Sequence, residues 1–383
     1  MPEEKKDNLA VGEIQLKIKP ERKLSPLEIK LNNLVAKIGK IPFVDKMLFI
    51  HHLQIMIKAG ISIVAGLKIL SKETQNKKLK RIINEIREDV EKGQQFSEAL
   101  GKYPKIFPSL YISMIQAGET AGKMEDALGQ VYSQMKKNHD LNSAIRGAMI
   151  YPAVILVAMA GVAGLVVFYI MPQILVMFKE FDAKLPLPTQ ILMWLVDFVQ
   201  TWAILIAIFI IIFIIVWIKL LKILKFKRVI HKLNLKLPIA GKIIKKINLA
   251  RFSLTLSSLL QSSIPIIDAV NITAEVVGNY TYKDILKYAA ENLKKGETLS
   301  SILLNFPSVF PPMVTEMIMV GEETGQSENM LNELASYYSD EVDATMKNFS
   351  TIIEPVIILI LGLGVAGIAV SVLMPMYSMT QNF

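Results

Sequence analysis

The chain has 383 residues, of which 52% are hydrophobic and 20% charged, and its formal net charge at pH 7 is +9. A water-soluble domain of this length normally carries more charge and fewer apolar residues, so the composition excludes an ordinary soluble protein. Cysteine is absent, which excludes disulfide bonds and thiolate metal sites.

Residues 1–45 form a charged lead without the apolar core of a secretory signal peptide, so we expect the N-terminus to stay in the cytoplasm. Ser25 and Pro26, followed by Glu28, are typical of a helix start. The apolar positions of a loosely amphipathic helix follow at Leu27, Ile29, Leu31, Leu34 and Ile38. The lead either docks on a partner or on the membrane, or is a mobile tail with one short helix.

Residues 46–146 have a helical period and are predicted to form the first cytoplasmic domain. Apolar residues recur at i, i+3, i+4, i+7 and i+11 from Leu79 to Val90, with charged residues on the other faces. We expect a bundle of five or six helices. Its last helix, from about Lys123, is expected to continue toward the membrane and to be kinked or entered at Pro152, so that domain and span move together.

Three stretches are long and apolar enough to cross a bilayer, which needs about 20 residues of helix. They predict transmembrane helices at 147–172, 194–218 and 351–375, the second interrupted by Asp197. The loop 173–193 has balanced charges and is predicted to be external, as is the uncharged tail 376–383. The C-terminus is therefore expected outside.

A basic connector, residues 219–248, follows the second span. Its first cations are Lys219, Lys222, Lys225, Lys227 and Arg228. Positive charge beside a span marks the cytoplasmic side, and it also suits anionic lipid headgroups. Nucleic acid is the competing partner, and we do not expect it, because the run adjoins a membrane span and has almost no aromatic residues between its cations.

The chain aligns with itself at a shift of 203 residues, without gaps from Phe49 to Pro172. Matched glycines and prolines imply matched turns, because these residues restrict the backbone. The second cytoplasmic domain is therefore predicted at 249–350, in parallel orientation. The fold class that follows is all-α, with two tandem helical-bundle cytoplasmic domains and three transmembrane helices.

Two glycine patterns resemble nucleotide sites but have the wrong context. The stretch GETAGK from Gly118 lacks one residue and the hydroxyl residue of a phosphate-binding loop. Gly362, Gly364 and Gly367 lie within an apolar span, where small residues let another helix approach closely.

The four histidines show no metal-ligand spacing, and no catalytic constellation is evident. We expect no cofactor, no metal and no catalytic residue.

Two loops and one carboxylate are candidates for partner contact. The loop residues are Gly118, Glu119 and Gly122 in the first copy, and Gly321, Glu322 and Gly325 in the second. Each loop is either only a tight helix–helix corner, with its glutamate near the next helix's N-terminus, or also a contact surface. Glu354, at a span boundary, is either an interfacial charge favoured near a helix N-terminus or a polar handle for a neighbouring membrane helix.

The residues resemble the type II secretion F-domain family, the inner-membrane platform proteins of type IV pilus and type II secretion machines. The resemblance covers about residues 45–379, through FIHHLQIMIKAGISIVAGLKIL from Phe49, GETAGKMEDAL from Gly118, YPAVILVAMAG from Tyr151, GEETGQSENML from Gly321 and EPVIILILG from Glu354. The second corner departs from the first, with Gln326 in place of Lys123.

The resemblance implies a platform in the cytoplasmic membrane and not an enzyme. Its implied partners are a cytoplasmic hexameric ATPase, pilin or pseudopilin transmembrane helices and other inner-membrane assembly components, and we also expect self-association. The alternative is a small transporter or channel subunit with parallel repeats, although such repeats usually contain several spans each. A membrane-bound enzyme is a third reading, which ATP hydrolysis by the purified chain would support.

Overall fold

The computed structural model describes residues 40–173 and 187–380, and these form helices joined by short turns. The first domain, here called module 1, consists of six helices, which confirms the predicted helical bundle. They are α1 (Phe43–Lys58), α2 (Ile63–Glu73), α3 (Lys77–Glu91), α4 (Phe96–Gly101), α5 (Ser109–Thr120) and α6 (Met124–Leu165). The predicted helix in the lead, from Leu27 to Ile38, lies outside the described residues.

Local sequence signals set the helix ends of module 1. The side chain of Asn76 accepts hydrogen bonds from two backbone amides at the start of α3, each of 3.1 Å, as favoured N-cap residues do. The predicted apolar stripe of α3 is confirmed, since Leu79, Ile82, Ile83 and Ile86 are buried. Full burial of such a side chain contributes about 1.5–3 kcal/mol. A short helix is only marginally stable by itself, so α3 is stabilised mainly by this packing.

Module 2 repeats the same six helices after an insertion that contains the second span. The insertion holds α7 (Leu187–Leu220) and α8 (Leu224–Asn234). Module 2 consists of α9 (Ala240–Gln261), α10 (Ile266–Val276), α11 (Tyr280–Leu293), α12 (Leu299–Leu304), α13 (Pro312–Thr324) and α14 (Ser327–Thr380). Helix α9 begins at Ala240, inside the segment predicted as a connector, and its Ile243 and Ile247, spaced by four residues, pack against the core.

Both cores are built around the same aromatic pair. The rings of Phe49 and Phe107 are 6.0 Å apart in module 1, and those of Phe252 and Phe310 are 5.3 Å apart in module 2. All four side chains are buried. The pairs are related by the shift of 203 residues that the sequence predicts, so the two modules share one packing plan.

The last helix of each module continues into an apolar segment of membrane-spanning length. Within the described residues, three helical stretches are long and apolar enough to cross a membrane: Met124–Gln173, Thr189–Leu220 and Ser327–Ser371. Helix α6 passes through Asn142 and Pro152 without a break and continues as a single π-helical turn, Val166–Ile170. The predicted shared helix of module and span is confirmed.

Hydrogen bonds join α7 to both of the other apolar helices. Thr189 Oγ1 donates to the backbone oxygen of Ser371 over 2.7 Å, and Gln200 Nε2 donates to the backbone oxygen of Val167 over 2.5 Å. Both acceptors belong to the segments that continue from the modules. These bonds therefore attach α7 to both of the other apolar helices.

Candidate functional site

The first predicted corner is a three-residue connection between α5 and α6. Gly122 has a φ of +69°, a left-handed conformation that glycine adopts without the steric cost of a side chain. Gly118 has a different role, because a Cβ placed there would lie 2.1 Å from the Cβ of Ala127. One glycine therefore permits the turn, and the other lets the two helices pass in close contact.

The carboxylate of Glu119 caps the N-terminus of helix α4. It accepts hydrogen bonds from the backbone amide of Phe96 at 2.7 Å, the backbone amide of Ser97 at 3.0 Å and the hydroxyl of Ser97 at 2.6 Å. The N-cap residue of α4, Gln95, makes no such bond with its own side chain. A carboxylate at a helix N-terminus satisfies unpaired amides and interacts favourably with the helix dipole.

The second corner reproduces this arrangement in module 2. Gly325 has a φ of +68°, and a Cβ at Gly321 would lie 2.9 Å from the Cα of Ser327. Glu322 accepts hydrogen bonds from the backbone amide of Leu299 at 2.6 Å and of Ser300 at 3.1 Å, and also from the hydroxyl of Ser300. The glutamate therefore has the same internal contacts in both copies.

These contacts correct one detail of the sequence prediction. The glutamates were expected near the N-terminus of the following helix, but their carboxylates cap α4 and α12, which begin 23 residues earlier in the chain. Sequence reasoning did not assign the two serine partners, Ser97 and Ser300, to the site. The sequence did contain a signal for them, because Ser97 and Ser300 occupy equivalent positions in the repeat. A hydroxyl present in both copies suggests that it makes the same hydrogen bond in both.

A cleft of about 1310 Å³ separates the two modules, and the first corner lines it. Its walls come from α1, α5 and α6 of module 1 and from α10 and the turn before it in module 2, and they carry both polar and apolar side chains. Ala121 and Lys123, in the exposed part of the first corner, line this cleft. The exposed residues of the corner, rather than its glutamate, are therefore available to a partner.

Glu354 lies exposed in the middle of helix α14, 27 residues after the helix begins at Ser327. No helix starts near it, so the interpretation as a charge favoured by a helix N-terminus is wrong. The dipole effect falls off within the first turn. The alternative, a polar handle for a neighbouring membrane helix, stays a prediction.

The five basic residues after the second span divide into two groups. Lys219 lies in the last turn of α7, and it, Lys222 and Lys225 are exposed. Arg228 forms an ion pair of 3.0 Å with Asp284 on α11, and Lys227 Nζ lies 5.0 Å from the centre of the Tyr280 ring. The second group therefore attaches α8 to module 2, whereas the first is directed to solvent or lipid.

His231 completes the attachment of α8. Its Nδ1 accepts a hydrogen bond of 3.1 Å from the backbone amide of Tyr280, and its backbone oxygen accepts one of 3.1 Å from Asn279 Nδ2. Burial, with a smaller contribution from the charge of Lys227, lowers the pKa of His231. The neutral imidazole that this favours is the form whose Nδ1 can accept the bond.

In the part of the chain that the structure describes, no three His, Asp or Glu residues are grouped as metal ligands.

Comparisons with known proteins agree with the duplication. The family model "Type II secretion system (T2SS), protein F" matches residues 49–172 and again residues 252–375. A "Type IV pilus assembly protein PilC" of Thermus thermophilus is 34% identical over 87% of this chain and 82% of the relative. Another of Pseudomonas aeruginosa is 30% identical over 93% and 96%. A "Type II secretion system protein F" of Vibrio cholerae is 29% identical over 88% and 83%.

Proposed function

Because the chain belongs to the type II secretion system protein F family, we propose that it is the inner-membrane platform of a type IV pilus or type II secretion machine. We further propose that it couples a cytoplasmic hexameric ATPase to the insertion or extraction of pilin-like subunits. Its own role is structural, and the ATPase supplies the energy.

The observation that carries this proposal is the unbroken helix between each module and its span. Helix α6 extends from the corner at Met124 to Leu165, and α14 extends from Ser327 to Thr380. A continuous helix transmits rotation and displacement without a flexible joint. A force applied to either module therefore acts directly on a membrane span.

The proposed topology places both modules in the cytoplasm, with the N-terminus inside and the C-terminus outside. The contacts between the modules support this placement, since Ser258 of module 2 donates a hydrogen bond of 2.8 Å to Gln134 of module 1. Modules in contact lie on one side of the bilayer. The exposed cations Lys222 and Lys225 support the same orientation. We propose the domain limits that the sequence predicts, 46–146 and 249–350, with the first turns of α9 from Ala240 leading into the second domain. Lipid headgroups are assigned to the exposed cations of the connector 219–248, Lys219, Lys222 and Lys225.

The partner surfaces are also proposals. The ATPase is assigned to the two corners, through residues beside Gly118, Glu119 and Gly122 and the equivalent Gly321, Glu322 and Gly325. Pilin-like helices and other membrane components are assigned to the third span. There a Cβ at Gly362 would meet nothing within 4 Å, which leaves room for a closely packed helix.

The test is to interrupt α6 between module and span in the full-length chain. Two glycines inserted after Arg146 should leave the ATPase bound in a pulldown from membranes but abolish filament assembly or secretion. The matched control is the same insertion between Leu237 and Pro238, in the turn between α8 and α9, which should preserve both. Normal assembly with the interrupted α6, or no ATPase bound by the unmodified chain, would contradict the proposed coupling.

A further inference from the structure

Helix α8 lies at the end of the second span that carries the basic residues. Helix α7 ends at Leu220 and α8 begins at Leu224, so only three residues separate them. The ring of Phe226 on α8 meets the ring of Trp217 on α7 edge to face, with the ring centres 6.1 Å apart. Because tryptophan is favoured at the boundary between hydrocarbon and water, this contact holds the start of α8 at the depth of the lipid headgroups.

One side of α8 is fixed to module 2. Arg228 pairs with Asp284 at 3.0 Å, and the Nδ1 atom of His231 accepts a hydrogen bond of 3.1 Å from the backbone amide of Tyr280. These contacts determine how α8 is rotated about its own axis. They therefore also determine which residues of α8 are turned away from the protein.

The side of α8 that is turned away from module 2 is apolar and exposed. Val229 and Leu233 each lie two residues from His231, which is about 200° around a helix, so they lie opposite it. Their side chains are 65% and 59% exposed. Among the described side chains of α1–α5 and α9–α13, no large apolar residue is more than 51% exposed. Higher values occur on the apolar spans, as at Ile204 of α7 with 77%, so Val229 and Leu233 are exposed to the same degree as residues that face lipid.

Lysines border this apolar side. Lys225 lies one turn before Val229 and Lys232 almost one turn after it, and both are exposed. No aspartate or glutamate occurs between Asp197 and Asp268, so no acidic residue of this segment offsets their charge. The stem of a lysine lies along apolar surface while its ammonium group contacts a phosphate. An apolar strip bordered by cations is typical of a helix that lies in the plane of a membrane with anionic lipids.

Module 2 is suited to hold a cationic helix, and module 1 is not. Tyr280 and Asp284 of α11 correspond in the repeat to Lys77 and Arg81 of α3. The surface that contacts α8 is thus aromatic and acidic in module 2, whereas the equivalent positions of module 1 are basic and would repel α8. The attachment is therefore a feature of the second module alone.

We propose that α8 is an interfacial helix whose Val229 and Leu233 side enters a membrane leaflet that contains anionic phospholipids, while its other side holds module 2 against that membrane. The inference rests on the membrane location in the proposed function, but not on a role in filament assembly or secretion. Lipid is favoured over a second protein because the contact with Trp217 places this side beside the bilayer. Module 2 is then attached to the membrane at two points, through α14 and α8, which limits its tilting and rotation.

Spin labels on single cysteines test the depth of α8 in the full-length chain, which has no cysteine of its own. V229C and L233C are labelled in nanodiscs that contain phosphatidylglycerol, and the collisions of each label with oxygen and with a water-soluble nickel chelate are measured. I214C on α7 is the reference for lipid and V320C on α13 is the reference for water, and their native side chains are 50% and 48% exposed. We expect frequent oxygen collisions and rare nickel collisions at V229C and L233C, equivalent to a depth of about 5–10 Å.

The pattern of collisions separates the possible failures. Nickel collisions as frequent at V229C as at V320C, while I214C stays shielded, would place α8 in water and overturn the inference without affecting the span. Rare collisions with both reagents at V229C would show that protein covers this side, which also contradicts the inference. Frequent nickel collisions at I214C would refute both the inference and the membrane location on which the proposed function depends.

A charge exchange tests whether α8 holds module 2. R228D and D284R should each accelerate hydrogen exchange in residues 279–284 about 2–5-fold in the same nanodiscs, as expected for loss of an exposed ion pair, and the double variant should restore slow exchange. E291R reverses another exposed carboxylate of α11 and is the matched control, which should leave exchange unchanged. V229C should stay shielded from nickel in the D284R chain, because its contact is with lipid. Unchanged exchange in both single variants, or no recovery in the double variant, would contradict the attachment to module 2.

Discussion

Replacing Glu119 with alanine tests whether the corner glutamate stabilises module 1 by capping helix α4. The change removes all three hydrogen bonds that the carboxylate accepts, from the backbone amides of Phe96 and Ser97 and from the Ser97 hydroxyl. Both residues are buried, so water cannot easily replace the lost acceptor. Helix α4 would then begin with unsatisfied buried donors.

The expected loss follows from those contacts. Hydrogen bonds to a charged group contribute about 1.5–3 kcal/mol each, and an unsatisfied buried donor costs about 1–3 kcal/mol. The three bonds share one partly exposed carboxylate, so their contributions do not sum. We expect E119A to reduce the local free energy of unfolding by about 3–4 kcal/mol and E119Q, which keeps the shape, by about 1–2 kcal/mol.

Hydrogen exchange measured by mass spectrometry on the full-length chain in detergent is the assay. A loss of this size accelerates exchange in residues 94–107 by about 100–1,000-fold. E125A is the matched control, because Glu125 makes only an exposed ion pair with Lys58 at 3.7 Å and should change little. E322A should have the same effect on residues 297–310 alone. Unchanged exchange in E119A, or an equal effect of E125A, would refute the capping role.

Three further variants or conditions test other contacts. G118A should cost about 1–3 kcal/mol of stability, because its Cβ would lie 2.1 Å from the Cβ of Ala127; G129A, whose Cβ would meet only a flexible side chain, should cost less in the same thermal melts. S263G should stabilise module 2 by about 0.5–1 kcal/mol, because Ser263 has a φ of +57°, and a lower melting temperature would contradict this. Acid should release α8, because the pKa of His231 is lowered in the folded chain while an unfolded histidine titrates at about 6.5. The attachment is then complete above that pH and is lost as the pH falls below it. Exchange in residues 224–234, corrected for the intrinsic rate, should rise from pH 7.5 to 5.5, and H231N, which keeps an acceptor, should abolish that dependence.

The sequence predicted the fold well because its strongest signals are long and repeated. The apolar stripe from Leu79 to Val90 and the charge-free spans gave the helices, and the shift of 203 residues gave the two modules. Helix ends were less accurate, as at Ala240, because the lysines of the first turns of α9 were read as part of the basic connector. The bond from Glu119 to α4 could not be predicted, since it depends on how a helix 23 residues away packs.

The interpretation of Glu354 failed for a different reason. Proline at position 355 and the start of an apolar run resemble a helix start, yet α14 continues through both. Proline is compatible with a continuing helix where neighbouring helices support the backbone. The same holds for Pro152 in α6, so in this repeat the proline lies inside a continuous helix and does not end it.

Comparison of the two copies shows which residues the fold of each module requires and which depend on where the module lies in the chain. The capping glutamate and serine and the corner glycines are the same in both modules. The residues that meet between the modules differ from their repeat counterparts, since Gln134 is bonded to Ser258 across the modules while the equivalent Tyr337 and Ile55 are exposed. Modules tethered in one chain meet at a high effective concentration, so neutral polar contacts suffice to hold them together.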